Sequence, residues 1–370
     1  MAPRNPIYTE FNAFDEQYYI LAEKIIKYIK PLIEKGVSVR VAVDRAFKVL
    51  KIRPAIKNII TEFMIAAFVK GGIEAVADVD GLKKWFLDKH WPGEKITLSA
   101  RINKLQFKRI IIDTIYTGVR KADTWTEIAN SMTAKQLQTG DIARHVTDLV
   151  DASRGVLDTE SASIYRRKLK QSAKKISALA QAGAPTKRLK AAYEDVLIAT
   201  QKGAEKAVDA AIDRAILEKA RYNAQRIART EIARAYGESY KADLAMDEDA
   251  TGTKWLLSSR HKIFDICNLN ANADLYGMGR GVYPKGTLPR YPAHPHCMCV
   301  LTKRYKGESG KFNQAGGVKY IDNLSEKRKK ELLGVGNYDK YRKNKKDWQK
   351  LTPNFDIETD KPSVPKRFLK

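Results

Sequence analysis

At 370 residues, with 44% hydrophobic and 30% charged residues, the chain has the length for two or three domains with real cores, and its composition excludes a disordered or collagen-like polymer. Lys and Arg number 68 against 43 Asp and Glu, a formal charge of +25, which points to a polyanionic partner and away from a protein that meets only small neutral ligands; a merely soluble basic surface is the plainer alternative. The longest apolar run, Phe63 to Val69, is far short of the roughly 20 residues of a bilayer span, Met1-Ala-Pro-Arg-Asn-Pro6 lacks the apolar core of a cleaved leader, and three cysteines are too few for a disulfide scaffold, so no membrane partner is expected and folding in a reducing cytoplasm is.

The first two-thirds read as helices. Tyr18, Leu21, Ile25, Ile29 and Leu32 mark one face of a helix from Phe14 to Lys35, which Gly36 ends. Ser38 suits the cap of a second helix carrying Val43, Phe47 and Leu50, and Pro54 suits the first turn of a third running into Phe63–Val69 before Gly71-Gly72. Thr139-Gly140-Asp141 can start a helix through Val150; Tyr165, Leu169, Ala173, Ile176 and Ala180 line another, broken at Gly183-Ala184-Pro185, and Leu189, Tyr193, Val196 and Leu197 a further one. The longest candidate runs from about Ala204 to Ala245, with Val208, Ile212 and Ile216, then Ile227, Ile232, Ala235 and Tyr236, set among Arg221, Arg226, Arg229 and Arg234. Such a basic amphipathic helix can pack on a partner, lie along DNA or form a solvated bundle face.

The character changes at Thr251-Gly252. Thr253 to Ser258 and Met298 to Thr302 read as short strands, with a stretch rich in Gly, Pro, Asn and Tyr between them. Beyond Tyr305 the chain is strongly basic, densest at Lys327, Arg328, Lys329 and Lys330 and at Arg342, Lys343, Lys345 and Lys346. These eight are the expected DNA contacts, of the phosphate-neutralising kind that does not read base edges. Tyr305, Tyr320, Tyr338, Tyr341 and Trp348 interleave with the lysines, for stacking on unpaired bases or for anchoring the tail to protein. The fold expected is mainly α: a helical region over 1–200, a long helix with a small irregular α+β module over 201–306, and a basic C-terminal arm over 307–370.

All three cysteines and three of the five histidines fall between His261 and Cys299. Thiolate and imidazole are the ligands zinc prefers. Cys267, Cys297, Cys299 and His294, with His261 as the alternative histidine, would complete a closed structural site, and a small module with little regular structure needs a staple. The spacing is not that of a common finger, because Cys267-Asn-Leu-Asn270 has no second cysteine. Two other readings stand beside zinc: small buried cysteines with hydrogen-bonding histidines, or a disulfide from Cys267 formed in oxidised particles.

An ordered set of segments runs through this region: Ala228-Arg-Thr-Glu231 within Arg229–Arg234, Trp255-Leu-Leu-Ser258, Arg260-His261, Asp265-Ile-Cys267, Ala273–Gly277, Gly279–Pro284 and His294-Pro-His-Cys-Met-Cys299. Together they resemble the phage Mu F-like head-morphogenesis, or minor head, proteins, over roughly Arg221 to Lys306. Asn270 and Met298 depart from the family pattern, which often has Cys and Arg there. The resemblance implies a structural, non-catalytic, low-copy protein near the portal inside the capsid, reached from the host cytoplasm during assembly. Its implied partners are the portal and capsid proteins and non-specifically bound double-stranded genomic DNA, with Arg229, Glu231, Trp255 and Asp265 as motif residues. The helices before Gln201 lie outside the match and are expected to dock on portal or capsid. Arg229 and Glu231 are expected to form ion pairs that fix the long helix to the small module.

Enzyme readings are weaker. A metal-dependent nuclease would use His261 or His294 to activate water and Asp265 to hold a metal, but more carboxylates would be expected. No Glu-x-Glu motif supports an ADP-ribosyl transferase, no Gly-x-Ser-x-Gly elbow a triad hydrolase, and no Gly-Lys-Ser/Thr phosphate loop an ATP-driven packaging motor.

Overall fold

A computed structural model describes residues 5–103 and 205–369, apart from 38, 74, 92, 93, 260, 262, 306, 308, 309 and 359, and scattered positions between 191 and 198. Ser38, Arg260, the side chain of Arg221 and the helices expected between Thr139 and Ala180 lie outside the described residues, as does most of the one expected around Leu189–Leu197. The fold is mainly α with a small α+β region toward the C-terminus.

The helices are α1 (Tyr8–Glu34), α2 (Val39–Val49), α3 (Ile52–Val69), α4 (Val79–Asp88), α5 (Leu98–Asn103) and α6 (Glu205–Met246). Helix α1 begins nearly two turns earlier than its periodicity predicts, because Ile7 and Phe11 extend the buried stripe. Pro54 sits in the first turn of α3, where its missing N–H costs nothing. Helix α6 matches the expected bounds to within a residue.

The chain divides into two compact units: one formed by Met1–Glu16, Lys57–Ser99 and Arg226–Lys370, the other by Gln17–Ile56 and Ala100–Gln225. They interleave along the sequence, unlike the three consecutive segments expected, and the divisions fall inside α1, α3, α5 and α6. In the second unit, Leu21, Ile25, Ile29, Ala42, Val43, Ala46, Ile52 and Ile56 are buried, and Arg53 lies over the Phe47 ring. In the first, the packing around α6 explains why early and late residues share a core. The backbone at Gly71 passes so close to α6 that a Cβ would lie 2.5 Å from the Tyr236 carbonyl oxygen, and the Ile73 N–H donates to Ser239 Oγ. Phe68, Phe86 and Trp91 form an aromatic cluster that Arg234 of α6 covers.

The α+β region is built on an antiparallel sheet in the order β2 (Val282–Pro284), β1 (Gly252–Leu256), β4 (Val300–Arg304). The register pairs Thr253 with Tyr283 and Lys303, and Trp255 with Leu301. Alternation puts Thr253 and Trp255 on the buried face and leaves Lys254 exposed. A short helix, α7 (Ile266–Asn272), packs beside β1, its approach to the strands made possible by Gly281, whose φ of +69° and closeness to the Ala271 carbonyl exclude a side chain. A two-stranded ribbon joins β3 (Leu288–Pro289) to β5 (Ile357–Glu358).

The expected basic arm is a folded layer. Helices α8 (Gln314–Asp322), α9 (Glu326–Leu333), α10 (Val335–Lys343) and α11 (Trp348–Leu351) enclose Ile321, Leu332, Leu333, Tyr341 and Trp348. The Trp348 ring lies against Gly317, where a Cβ would be 2.2 Å from it, and its indole N–H donates to the Gln314 carbonyl. The lysines obscured this small apolar set in the sequence. Val76 pairs with Leu369, and the Ala77 N–H donates to the Phe368 carbonyl, tying the end of the layer to the approach to α4.

Candidate metal centre

Three cysteines converge from two short elements. Cys267 is held by α7, whose N-cap is Asp265: its carboxylate accepts the Cys267 N–H while the Asn268 side chain returns to the Asp265 N–H, a reciprocal capping box. Cys297 and Cys299 come from the turn entering β4, in which His296 adopts a φ of +64° and the Cys297 N–H donates to the His294 carbonyl. All three are thiols, exposed by 0%, 1% and 1%.

Around them the ligand atoms of Cys267, His294 and Cys297 lie within 4.8 Å of one another, and so do those of His261, Cys267 and Cys299. The sulfurs of Cys267 and Cys297 are 3.7 Å apart, and Cys267 Sγ is 3.1 Å from His294 Nε2. The five residues expected to hold a metal divide between these two sets, with Cys267 common to both: His294 and Cys297 fall in one, His261 and Cys299 in the other. This His/Cys cluster can bind a metal ion.

Hydrogen bonds orient the histidines. His294 Nδ1 lies 2.8 Å from the Pro295 carbonyl, which only accepts, so that nitrogen carries a proton, while Nε2 lies 3.1 Å from Cys267 Sγ. Asn268 Oδ1 accepts the Asp265 N–H and must be the amide oxygen, so His261 Nε2, 2.8 Å away, is a donor. Asp265 Oδ2 stands 3.2 Å from His294 Nε2, and Oδ1 stands 3.7 Å from His261 Nε2.

The thiols share one acidic position. Burial pushes Cys267 up. Cys297 is drawn well below the ordinary thiol range by hydrogen bonds from Cys267 and Cys299, which outweigh its burial, with His294 adding to the effect. Cys299 is pulled down by Cys267, but its hydrogen bond to Cys297 and its burial prevail and raise it. Cys297 is thus the most acidic of the three, and holding all three as thiolates would call for a cation. Nearby, His296 is held down to about 3 by burial and by Arg229 and Arg226. It stays neutral at ordinary pH.

An orphaned donor fits the same picture. Trp255 Nε1 is buried with no hydrogen bond of ordinary geometry, yet it is near enough to Cys299 to lower that thiol's pKa. A metal-held thiolate would accept from it far better than a neutral thiol. Sequence reasoning placed Trp255 in the motif without identifying this role.

Other residues expected at the site behave differently. Arg229 pairs with Asp15 of α1 at 3.3 Å and lies over Phe11; Glu231 is buried and pairs with Arg234, which also reaches Glu94. The ion pairs found among the described residues join α6 to N-terminal residues and to α6 itself, while Arg229 also acts on His296 of the small module. Asn270 is buried and its carbonyl accepts the Tyr283 hydroxyl. Among the expected DNA contacts, Lys327, Arg328, Lys330, Arg342, Lys343, Lys345 and Lys346 are exposed and Lys329 is half-buried. Three are partly neutralised: Arg328 by Glu331, Lys330 by Glu326 and Lys345 by Asp322. Of the interleaved aromatics, Tyr341 and Trp348 are buried and anchor the layer, whereas Tyr305 is exposed.

Comparison with protein families, with curated proteins and with solved structures finds no match to the chain.

Proposed function

We propose that the chain is a structural minor head protein of a tailed bacteriophage, similar to the phage Mu F-like proteins. It acts at the portal vertex in head assembly and in DNA packaging or delivery. The observation that carries this reading is the convergence of the motif segments. From Arg229 to Cys299 they lie within one compact unit, and their cysteines and histidines form two three-residue ligand sets that share the buried Cys267.

The cluster suits a structural zinc ion held by Cys267, Cys297, Cys299 and His294, with His261 as the alternative histidine. Zinc–thiolate bonds of about 2.3 Å put two sulfurs of a tetrahedral site about 3.8 Å apart, and Cys267 and Cys297 are separated by 3.7 Å. Disulfide pairing would require about 2.05 Å. Three buried thiolates and one imidazole leave no coordination position for substrate, which distinguishes a staple from a catalytic centre. When bound, zinc would supply the cross-link between α7 and the β4 turn. Asp265 caps α7, the Pro295 carbonyl aims His294, and the indole of Trp255 faces Cys299.

Cations of α9, α10 and the turn after α10 supply a surface for phosphates. Non-specific DNA binding should weaken steeply with salt, and removing Arg342, Lys343 and Lys346 together should lower the slope of log K against log salt by about one per residue. Copy number tests the assignment directly. Quantitative mass spectrometry of purified virions should find a few copies per particle, and absence from particles would overturn the virion role.

A second reading, a metal-dependent nuclease, is favoured by one observation, the polar edge where His261, Asp265 and His294 meet. It predicts nicking of plasmid DNA with added divalent metal, lost in His261→Ala and His294→Ala. No nicking is expected.

A further inference from the structure

Cys299 is engaged from a direction that the metal reading does not require. Asn5 lies 2% exposed beside the β4 turn, and its side-chain nitrogen donates to the Cys299 carbonyl oxygen at 2.8 Å and to the Tyr291 hydroxyl at 3.2 Å. The Tyr291 hydroxyl in turn donates to the same carbonyl at 2.9 Å. The other end of the Asn5 amide faces the opposite way: Oδ1 accepts the Ile7 N–H at 3.0 Å, and the Asn5 carbonyl accepts the Tyr8 N–H, an Asx turn that leads into α1. Tyr291 is seated against α6 at Gly237, where a Cβ would lie 2.6 Å from its ring, and against Trp255 at 5.5 Å between centroids. One buried amide therefore closes the start of α1 and holds the backbone of a candidate ligand.

We propose that Asn5 is a positioning residue of the metal centre, so that loading the centre and docking the N-terminal segment are one coupled event. Orienting groups behind a ligand fix its direction, and their loss weakens metal affinity about 10- to 100-fold. By reciprocity, a metal that prefers the docked Cys299 backbone also favours the docked Asn5 and the first turn of α1. The inference rests on the zinc reading.

The test uses the full chain, with zinc affinity measured by competition with a chromophoric chelator. Asn5→Asp keeps an oxygen to cap Ile7 but has no N–H to give Cys299, and Asn5→Ala loses both. Both variants are expected to bind zinc about tenfold more weakly than the wild type. If Asn5→Asp binds as tightly as the wild type while Asn5→Ala does not, Asn5 only caps the helix and the proposal is overturned. If both variants keep full affinity, the coupling is overturned and the zinc reading stands. If the wild type binds no zinc, both fall together. Hydrogen exchange on the wild-type chain alone gives an independent readout: stripping zinc should accelerate exchange of the amides at 7–16, and unchanged protection there would overturn the coupling whatever the variants do.

Discussion

Two stretches of similar length make small cores by different means. From Ser258 to Cys299 the chain forms one short helix, one strand of three residues and another of two, and its centre is sulfur and imidazole. From Gln314 to Phe355 it forms four short helices around Trp348, Tyr341 and Leu333, with Phe355 against the indole at 4.6 Å. The second is surrounded by lysines yet needs only apolar burial. The first buries Leu269, Leu275, Leu288 and Tyr283 as well, but adds three buried thiols gathered where a cation can bind. Local composition therefore hides both: high charge conceals an apolar core, and irregular polar chain conceals a cluster of cysteines and histidines that could bind a metal.

Breaking the comparison begins with the metal. Cys267→Ser, or a strong chelator added to the wild type, should cost about 5 kcal/mol or more, because a structural metal contributes folding free energy outright. Urea unfolding with and without chelator measures it, and equal midpoints would place the first stretch in the same class as the second. Trp348→Ala should cost about 3–5 kcal/mol as a large buried ring is lost, with zinc content unchanged; a parallel loss of metal would mean the two stretches are not separate.

A pH titration sharpens the contrast. Tyr236, which packs on Tyr291 beneath the sulfur cluster, is pushed up to about 12 by burial and by Asp243. The unfolded phenol ionises first, so this contribution is complete below about pH 10 and is lost as pH rises toward 12, about 3 kcal/mol in all. Tyr236→Phe should flatten that part of the stability profile. The smallest effects lie at the helix starts. Ser325→Ala, removing a long N-cap bond at 3.4 Å to Arg328, should cost under about 1 kcal/mol, and Asp265→Ala about 2 kcal/mol, because its carboxylate caps α7 and faces two histidines. Matched thermal melts measure both, and a loss at Asp265 no larger than at Ser325 would mean that Asp265 serves the helix alone.

Helices α1, α2, α3 and α6 were legible because their apolar positions repeat at three and four residues: α6 was read nearly to its ends, and Pro54 marked the start of α3, whereas α4, α5 and α8 to α11 were not read. The cysteine–histidine cluster was legible as a concentration of ligand types, although no spacing said which atoms would meet. Other features were not. The partners of Arg229 are more than two hundred residues away in sequence, and nothing local to Asp15 announces a pairing with α6. Nothing local to Asn5 announces its contact with the Cys299 carbonyl. Trp348 was noticed as an aromatic among lysines, but its burial depends on Gly317, which reads in isolation as a weak helix position.

The interleaving of the units has a kinetic corollary. The core containing Phe11, Phe68 and Phe86 also draws on Ala228, Trp255 and Phe368, so residues near Phe11 have no complete partner surface until those near 368 have been synthesised. Closure of that core is then a late step, and a fragment cut at 201–306 would carry the sulfurs while lacking the residues they are built against.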